Sequence, residues 1–156
     1  MAIPELVDGR LPPGDWEATW GEIEAKFAYN FRRREILTGL QHVAEQLRRH
    51  GIQEIWVDGS FVTNKQRPDD ADVVYMIPAD GDADDWADVG PSRRKHMKQY
   101  HRVDLWRYPS PQPPKHSVAG GKLITIKEFF ETDGDGNPRG LLHVNITEEG
   151  APDDQE

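Results

Sequence analysis

At 156 residues with no cysteine, the chain is sized for one domain whose core needs no disulfides. Thiolate zinc sites are excluded, which leaves carboxylates and imidazoles as metal ligands and hard cations as the natural guests. The net charge of −9, with 30% charged and 36% apolar residues, excludes bulk coating of DNA or RNA but leaves room for a small RNA end on a local basic patch.

No apolar run approaches the roughly 20 residues of a membrane helix. The stretch MAIPELVDGRLPPGDW has no charged start leading into an apolar core, so no secretory signal is expected and a cytoplasmic setting is. Pro4, Pro12, Pro13 and Gly14 predict an extended arm over residues 1–14 laid across the domain. Asp15 is placed to cap a short helix in which Trp16 and Trp20 share a face.

From Glu22 to His50 apolar residues recur at three- and four-residue steps, the pattern of a helix, with Asn30 or Gly39 as its points of interruption. Arg32, Arg33 and Arg34 within it read either as a phosphate contact or, more simply, as a solvated face. Gln53 to Gly59 and Asp70 to Ile77 read as two strands. An acidic loop follows over 79–90, then a basic helix from Pro91 to Tyr100, then a third strand from His101 to Tyr108. Residues 109–121 form a Pro/Gly-rich linker, and Lys122 to Thr132 is ambiguous between strand and helix. A turn over Asp133 to Gly140 leads to a last strand, Leu141 to Ile146. The Asp-Gly-Asp-Gly-Asn run in that turn imitates a calcium loop but has Pro138 and Val144 where the template needs glycine and glutamate. The expected layout is one domain over 1–147 and an acidic, frayed tail over 148–156. None of the six histidines has an evident partner in the pattern.

The stretch with chemical content is Gly59-Ser60, nine residues, Asp70-Ala71-Asp72, and later Asp104 inside an apolar strand. Side chains alternate along a strand, so Asp70 and Asp72 face the same way, a geometry suited to a metal ion. The plainer reading makes Asp70 and Asp72 a loop and strand cap and Asp104 a salt-bridged sheet residue. It is weakened because aspartate inside an apolar strand is disfavoured, and this occurs twice with compatible phase.

This pattern resembles the nucleotidyltransferase superfamily that includes DNA polymerase β, and most closely its small bacterial minimal nucleotidyltransferases. Arg67-Pro68-Asp69-Asp70-Ala71-Asp72-Val73-Val74 is similar to their signature loop and strand, and Val103-Asp104-Leu105 to the strand with their third carboxylate. Leu11 to Gly14, Asp58 to Thr63 and Phe129 to Pro138 are also similar to blocks shared within an uncharacterised bacterial family of such proteins. The resemblance implies an α/β (α+β) fold, a mixed β-sheet flanked by helices. It also implies transfer of an NMP group from an NTP to a hydroxyl on a protein or RNA acceptor. Asp70, Asp72 and Asp104 would hold Mg²⁺ (or Mn²⁺), Gly59 and Ser60 would admit the triphosphate, and Lys65, Arg67 and Arg93 or Arg94 would offset its charge. It further implies a toxin-antitoxin or phage-defence setting with a cognate toxin or antitoxin as partner. The alternative is a catalytically weak or inactive protein of the same fold that binds a partner or senses a nucleotide. Two departures stand out: Thr63-Asn64-Lys65 where such proteins carry an arginine after the Gly-Ser pair, and Asp58 where an apolar residue precedes the glycine.

Overall fold

The computed structural model describes residues 3–76, 86, 88–108 and 140–147. The linker over 109–121, the segments 122–132 and 133–139, most of the acidic loop and the tail over 148–156 lie outside the described residues.

The elements run β1 (Gly14–Glu17), α1 (Trp20–Phe27), α2 (Phe31–Arg49), β2 (Glu54–Asp58), β3 (Ala71–Met76), α3 (Arg94–His101), β4 (Val103–Tyr108) and β5 (Gly140–Asn145). The strands form one mixed sheet in the order β1-β5-β2-β3-β4. β2 is antiparallel to both β3 and β5, whereas β3 with β4 and β1 with β5 run parallel. A parallel neighbour cannot be reached by a tight turn, and α3 lies in the connection that carries the chain from β3 to β4.

Two expectations change at the N-terminal side. Trp16 lies in β1 rather than in a helix, its indole nitrogen donating to the Pro12 carbonyl at 2.8 Å. The helix begins instead at Trp20, where Thr19 and Glu22 cap each other's backbone N–H groups at 3.1 and 2.9 Å. The long helical pattern is divided at Asn30, whose side-chain oxygen accepts from the Arg33 N–H at 2.9 Å and so starts α2 afresh.

The core fills one face of the sheet. Ile23 and Phe27 of α1, Ile36, Leu40, Val43 and Leu47 of α2 and Met97 of α3 meet Ile55, Val57, Val73, Tyr75, Val103, Leu105, Leu142 and Val144. The register puts the sheet residues of this set on the same side, because each pairs with another of them across the strands. The other face carries Trp56, Asp58, Asp72, Val74, Asp104 and Trp106, the residues between. Among the described residues no helix is long and apolar enough to cross a membrane.

One core residue is charged. Arg33 has none of its surface exposed. Its guanidinium donates to the Phe27 and Phe61 carbonyls at 3.1 and 2.7 Å, and to the Thr63 and Lys65 carbonyls at 2.5 and 2.6 Å. It lies between the rings of Tyr29 and Phe61, at 4.6 and 5.6 Å. Arg33 is therefore neither a phosphate contact nor a solvated residue. Its work is to tie α2 to the chain following Gly59. Beside it, Asn30 reaches the Gln66 carbonyl at 2.8 Å and Arg32 the Pro68 carbonyl at 2.8 Å.

Replacing Arg33 by Met strips charge-assisted bonds from four buried or half-buried carbonyls, each costing about 1–3 kcal/mol when left unpaired. Urea unfolding should show Arg33→Met losing more than about 3 kcal/mol, and Arg33→Lys recovering little of it, because an ammonium cannot span four acceptors in one plane. A loss of under about 1 kcal/mol for Arg33→Met contradicts the role given to it.

Candidate active site

The strand register brings three acids into a row. Asp58 of β2 pairs with Asp72 of β3, and Asp72 pairs with Asp104 of β4. Directly opposed residues point to the same side of a sheet, so the three carboxylates stand side by side on the face opposite the core. Asp70 precedes β3 by one residue and is aligned with Asp72. Asp58 and Asp104 are buried, at 5% and 6% exposure.

Such a row is electrostatically costly, and the carboxyl groups register the cost. Burial first, then the Asp70, Asp104 and Asp58 charges, push the Asp72 carboxyl up to about 7, with the Trp106 indole opposing the shift. Asp70 is also raised, by burial and by Asp104 and Asp69, against the pull of Lys98. Two cations from α3 relieve the rest. Arg94 grips Asp104 with Nε at 2.7 Å and Nη2 at 3.2 Å, and its guanidinium lies 3.8 Å over the Trp106 ring. The Lys98 ammonium lies between Asp70 and Asp104, at 3.7 and 3.8 Å. Residues four apart on a helix share a side, and Met97 meanwhile anchors α3 in the core.

Gly59 has φ of +92°, and a Cβ there would stand 3.0 Å from the Asp72 backbone nitrogen and 3.1 Å from its Oδ2. The bare glycine is thus required first for the seating of Asp72. The Ser60 hydroxyl closes the following loop on itself, donating to the Asp70 carbonyl at 3.3 Å and accepting from the Asp69 N–H at 3.2 Å. Beside the Gly59-Ser60 turn lies a cleft of about 260 Å³ whose lining includes Arg10, Asp58, Gly59, Ser60 and Thr63.

The structure brings Asp70, Asp72 and Asp104 together beside Gly59 and Ser60. Lys65 and Arg67 are placed differently: Lys65 pairs with Asp69 at 3.7 Å on the exposed side of the loop, and Arg67 is exposed. The cations at the carboxylates are Arg94 and Lys98, whose four-residue spacing on the basic helix was the available signal. Asp58, read from the sequence as a departure from the expected pattern, belongs to the row through its pairing with Asp72. Two of the histidines, too, have carboxylate partners. His143 meets Glu54 at 2.5 Å and stacks on Trp56, and His50 meets Asp88 at 2.8 Å and stacks on Trp86. Both carboxylates are distant in the chain, so no local spacing reveals them.

The donor set fits a hard divalent cation in kind: oxygen ligands only, crowded enough to hold a proton near neutrality, with an ammonium already bridging two of them. As placed, no group of three His, Asp or Glu side chains among the described residues closes around a metal position. A cation held by Asp70 and Asp104 would have to take the place of the Lys98 ammonium and share Asp104 with Arg94.

Residues 4–145 match the family of unknown function DUF6932, and the chain belongs to it. No curated protein and no solved structure matches the chain.

The Asp72 shift has a testable sign. Folding raises its pKa, so the protonated group's contribution to stability is full below the ordinary aspartate range and is lost as the pH rises through about 7. Asp72→Asn keeps the shape without the charge. Denaturant unfolding should find variant and wild type alike near pH 4. The variant should draw ahead between pH 4 and 7 and level off at an advantage on the order of 4 kcal/mol. A wild type that gains on the variant as the pH rises contradicts the assignment.

Proposed function

We propose that this protein is a metal-dependent nucleotidyltransferase, moving an NMP group from an NTP to a hydroxyl on a protein or RNA acceptor. The observation that carries the reading is the cross-strand row of Asp58, Asp72 and Asp104 with Asp70 beside it, set against the Gly59-Ser60 turn and its cleft. A scaffold gains nothing from stacking buried and half-buried carboxylates, one of which burial first and its acidic neighbours second raise to about 7.

Asp70, Asp72 and Asp104 are the residues to hold Mg²⁺ or Mn²⁺. When bound, the ion supplies charge neutralisation and orientation for phosphoryl oxygens. In the transfer the acceptor oxygen bonds to the α-phosphorus, the bond from that phosphorus to its bridging oxygen breaks, and pyrophosphate departs with the electron pair. The hydroxyl proton goes to a carboxylate of the row. Arg94 and Lys98, freed from the acids as the ion enters, are placed to meet phosphate oxygens. The acceptor remains a protein or RNA, and a toxin-antitoxin or phage-defence module is the setting that the likeness to minimal nucleotidyltransferases suggests.

One observation favours a second reading, a binding protein that keeps the fold without the chemistry: Arg94 and Lys98 already neutralise Asp104 and Asp70. Labelled NTPs with Mg²⁺ or Mn²⁺ and candidate acceptors separate the two. The enzyme transfers label, and the Asp70→Ala/Asp72→Ala variant loses at least about 10³-fold of that rate, the scale of several kcal/mol of lost charge stabilisation. Acceptor binding that is equal in both proteins, with no label transferred by either, supports the binding protein instead.

A further inference from the structure

The arm before β1 contains a built turn. Val7 and Arg10 form an antiparallel bridge, with hydrogen bonds of 2.7 Å from the Val7 N–H and 3.1 Å from the Arg10 N–H. Between them, Asp8 and Gly9 both have positive φ, +52° and +79°. Two left-handed residues between a bridged pair make a type I′ hairpin, for which Asp-Gly is a favoured sequence. The expected extended arm is therefore folded here.

The hairpin is seated on the loop after Ser60. Arg10 makes a second antiparallel bridge to Thr63, and the Asn64 N–H donates to the Gly9 carbonyl at 3.0 Å. The fit is close: a Cβ on Gly9 would lie 2.6 Å from the Asn64 side-chain oxygen. Arg33 secures the other side of the same loop through the Thr63 and Lys65 carbonyls. All of this fixes the backbone of Arg10, while its side chain is left exposed on the wall of the cleft.

Among the described residues Arg10 is the only cationic side chain lining that cleft, and it makes no ion pair with any of them. Its backbone already does the structural work, so a rigid I′ turn and two bridges position a guanidinium with no packing task. A guanidinium presents paired donors that match phosphate oxygens, and the cleft opens beside Gly59, next to the row of acids. Asp58 on the cleft wall would repel a naked anion, so a ligand with negative charge here needs this cation.

Building on the nucleotidyl-transfer reading, we infer that Arg10 grips the distal phosphates of the nucleoside triphosphate, the portion that leaves as pyrophosphate. The N-terminal arm is then part of the nucleotide site.

Calorimetric titration of inorganic triphosphate, each NTP and the matching nucleoside into wild type, Arg10→Ala and Arg10→Lys tests this. Wild type should bind triphosphate and an NTP. Arg10→Ala should weaken both by about 10- to 100-fold, the range for one charge-assisted contact. Nucleoside affinity and thermal melting should stay unchanged, and Arg10→Lys should recover only part of the loss. Triphosphate affinity that is equal in Arg10→Ala and wild type overturns the inference, as does a wild type that binds no triphosphate. Label transfer by wild type together with unaltered Arg10→Ala binding removes this inference alone. Triphosphate held through Arg10 with no transfer to any acceptor removes the enzymatic reading and leaves the phosphate site standing.

Discussion

The loop between Gly59 and Asp70 has little regular structure of its own, and its shape depends on a guanidinium supplied from elsewhere. Arg33, buried at the start of α2, holds three of the loop's carbonyls and one from the end of α1. A buried charge without such partners would be untenable, so guanidinium and loop stabilise each other's conformation. The consequences spread outward. The loop carries Ser60, whose hydroxyl fixes the approach to Asp70, and it offers Thr63 and Asn64 as the platform for the Val7–Arg10 hairpin. One buried side chain, remote from the acidic row, thus helps to shape the loop that carries Ser60 and Thr63 on the cleft wall.

Against this rigid frame the acidic row is deliberately unrelaxed. Strand pairing dictates that Asp58, Asp72 and Asp104 stand abreast, and the fold cannot separate them without losing register across the sheet. Arg94 and Lys98 relieve part of the repulsion, yet Asp72 stays near neutrality. Under the proposed function a multivalent cation would relieve the row, and the cations of α3 would turn to phosphate oxygens.

Much of the sheet and its helices was legible because alternation and three- to four-residue periodicity report burial directly. β2, β3, β4 and β5 fall close to where those patterns put them, and the alignment of Asp70 with Asp72 and the inclusion of Asp104 follow from period two. What was not legible depended on partners far apart in the chain. Trp16 reads as helical beside Trp20 until β1 finds β5, a pairing across more than a hundred residues. Arg33 reads as one of three surface arginines until the loop thirty residues later closes over it. The Asp8-Gly9 turn was present in the sequence as a hairpin signal but was obscured by the prolines on either side. Asp58 looked like a misplaced charge until the register made it the first of a row.

The proposed function requires the row of carboxylates to bind a divalent cation in place of the Arg94 and Lys98 side chains. Binding of Mn²⁺, followed by electron paramagnetic resonance on wild type, Asp72→Asn and Arg94→Ala, tests this most directly. Wild type should bind Mn²⁺, Asp72→Asn should lose it, and Arg94→Ala, which frees Asp104, should bind more tightly than wild type. Absence of binding in both wild type and Arg94→Ala would contradict the account.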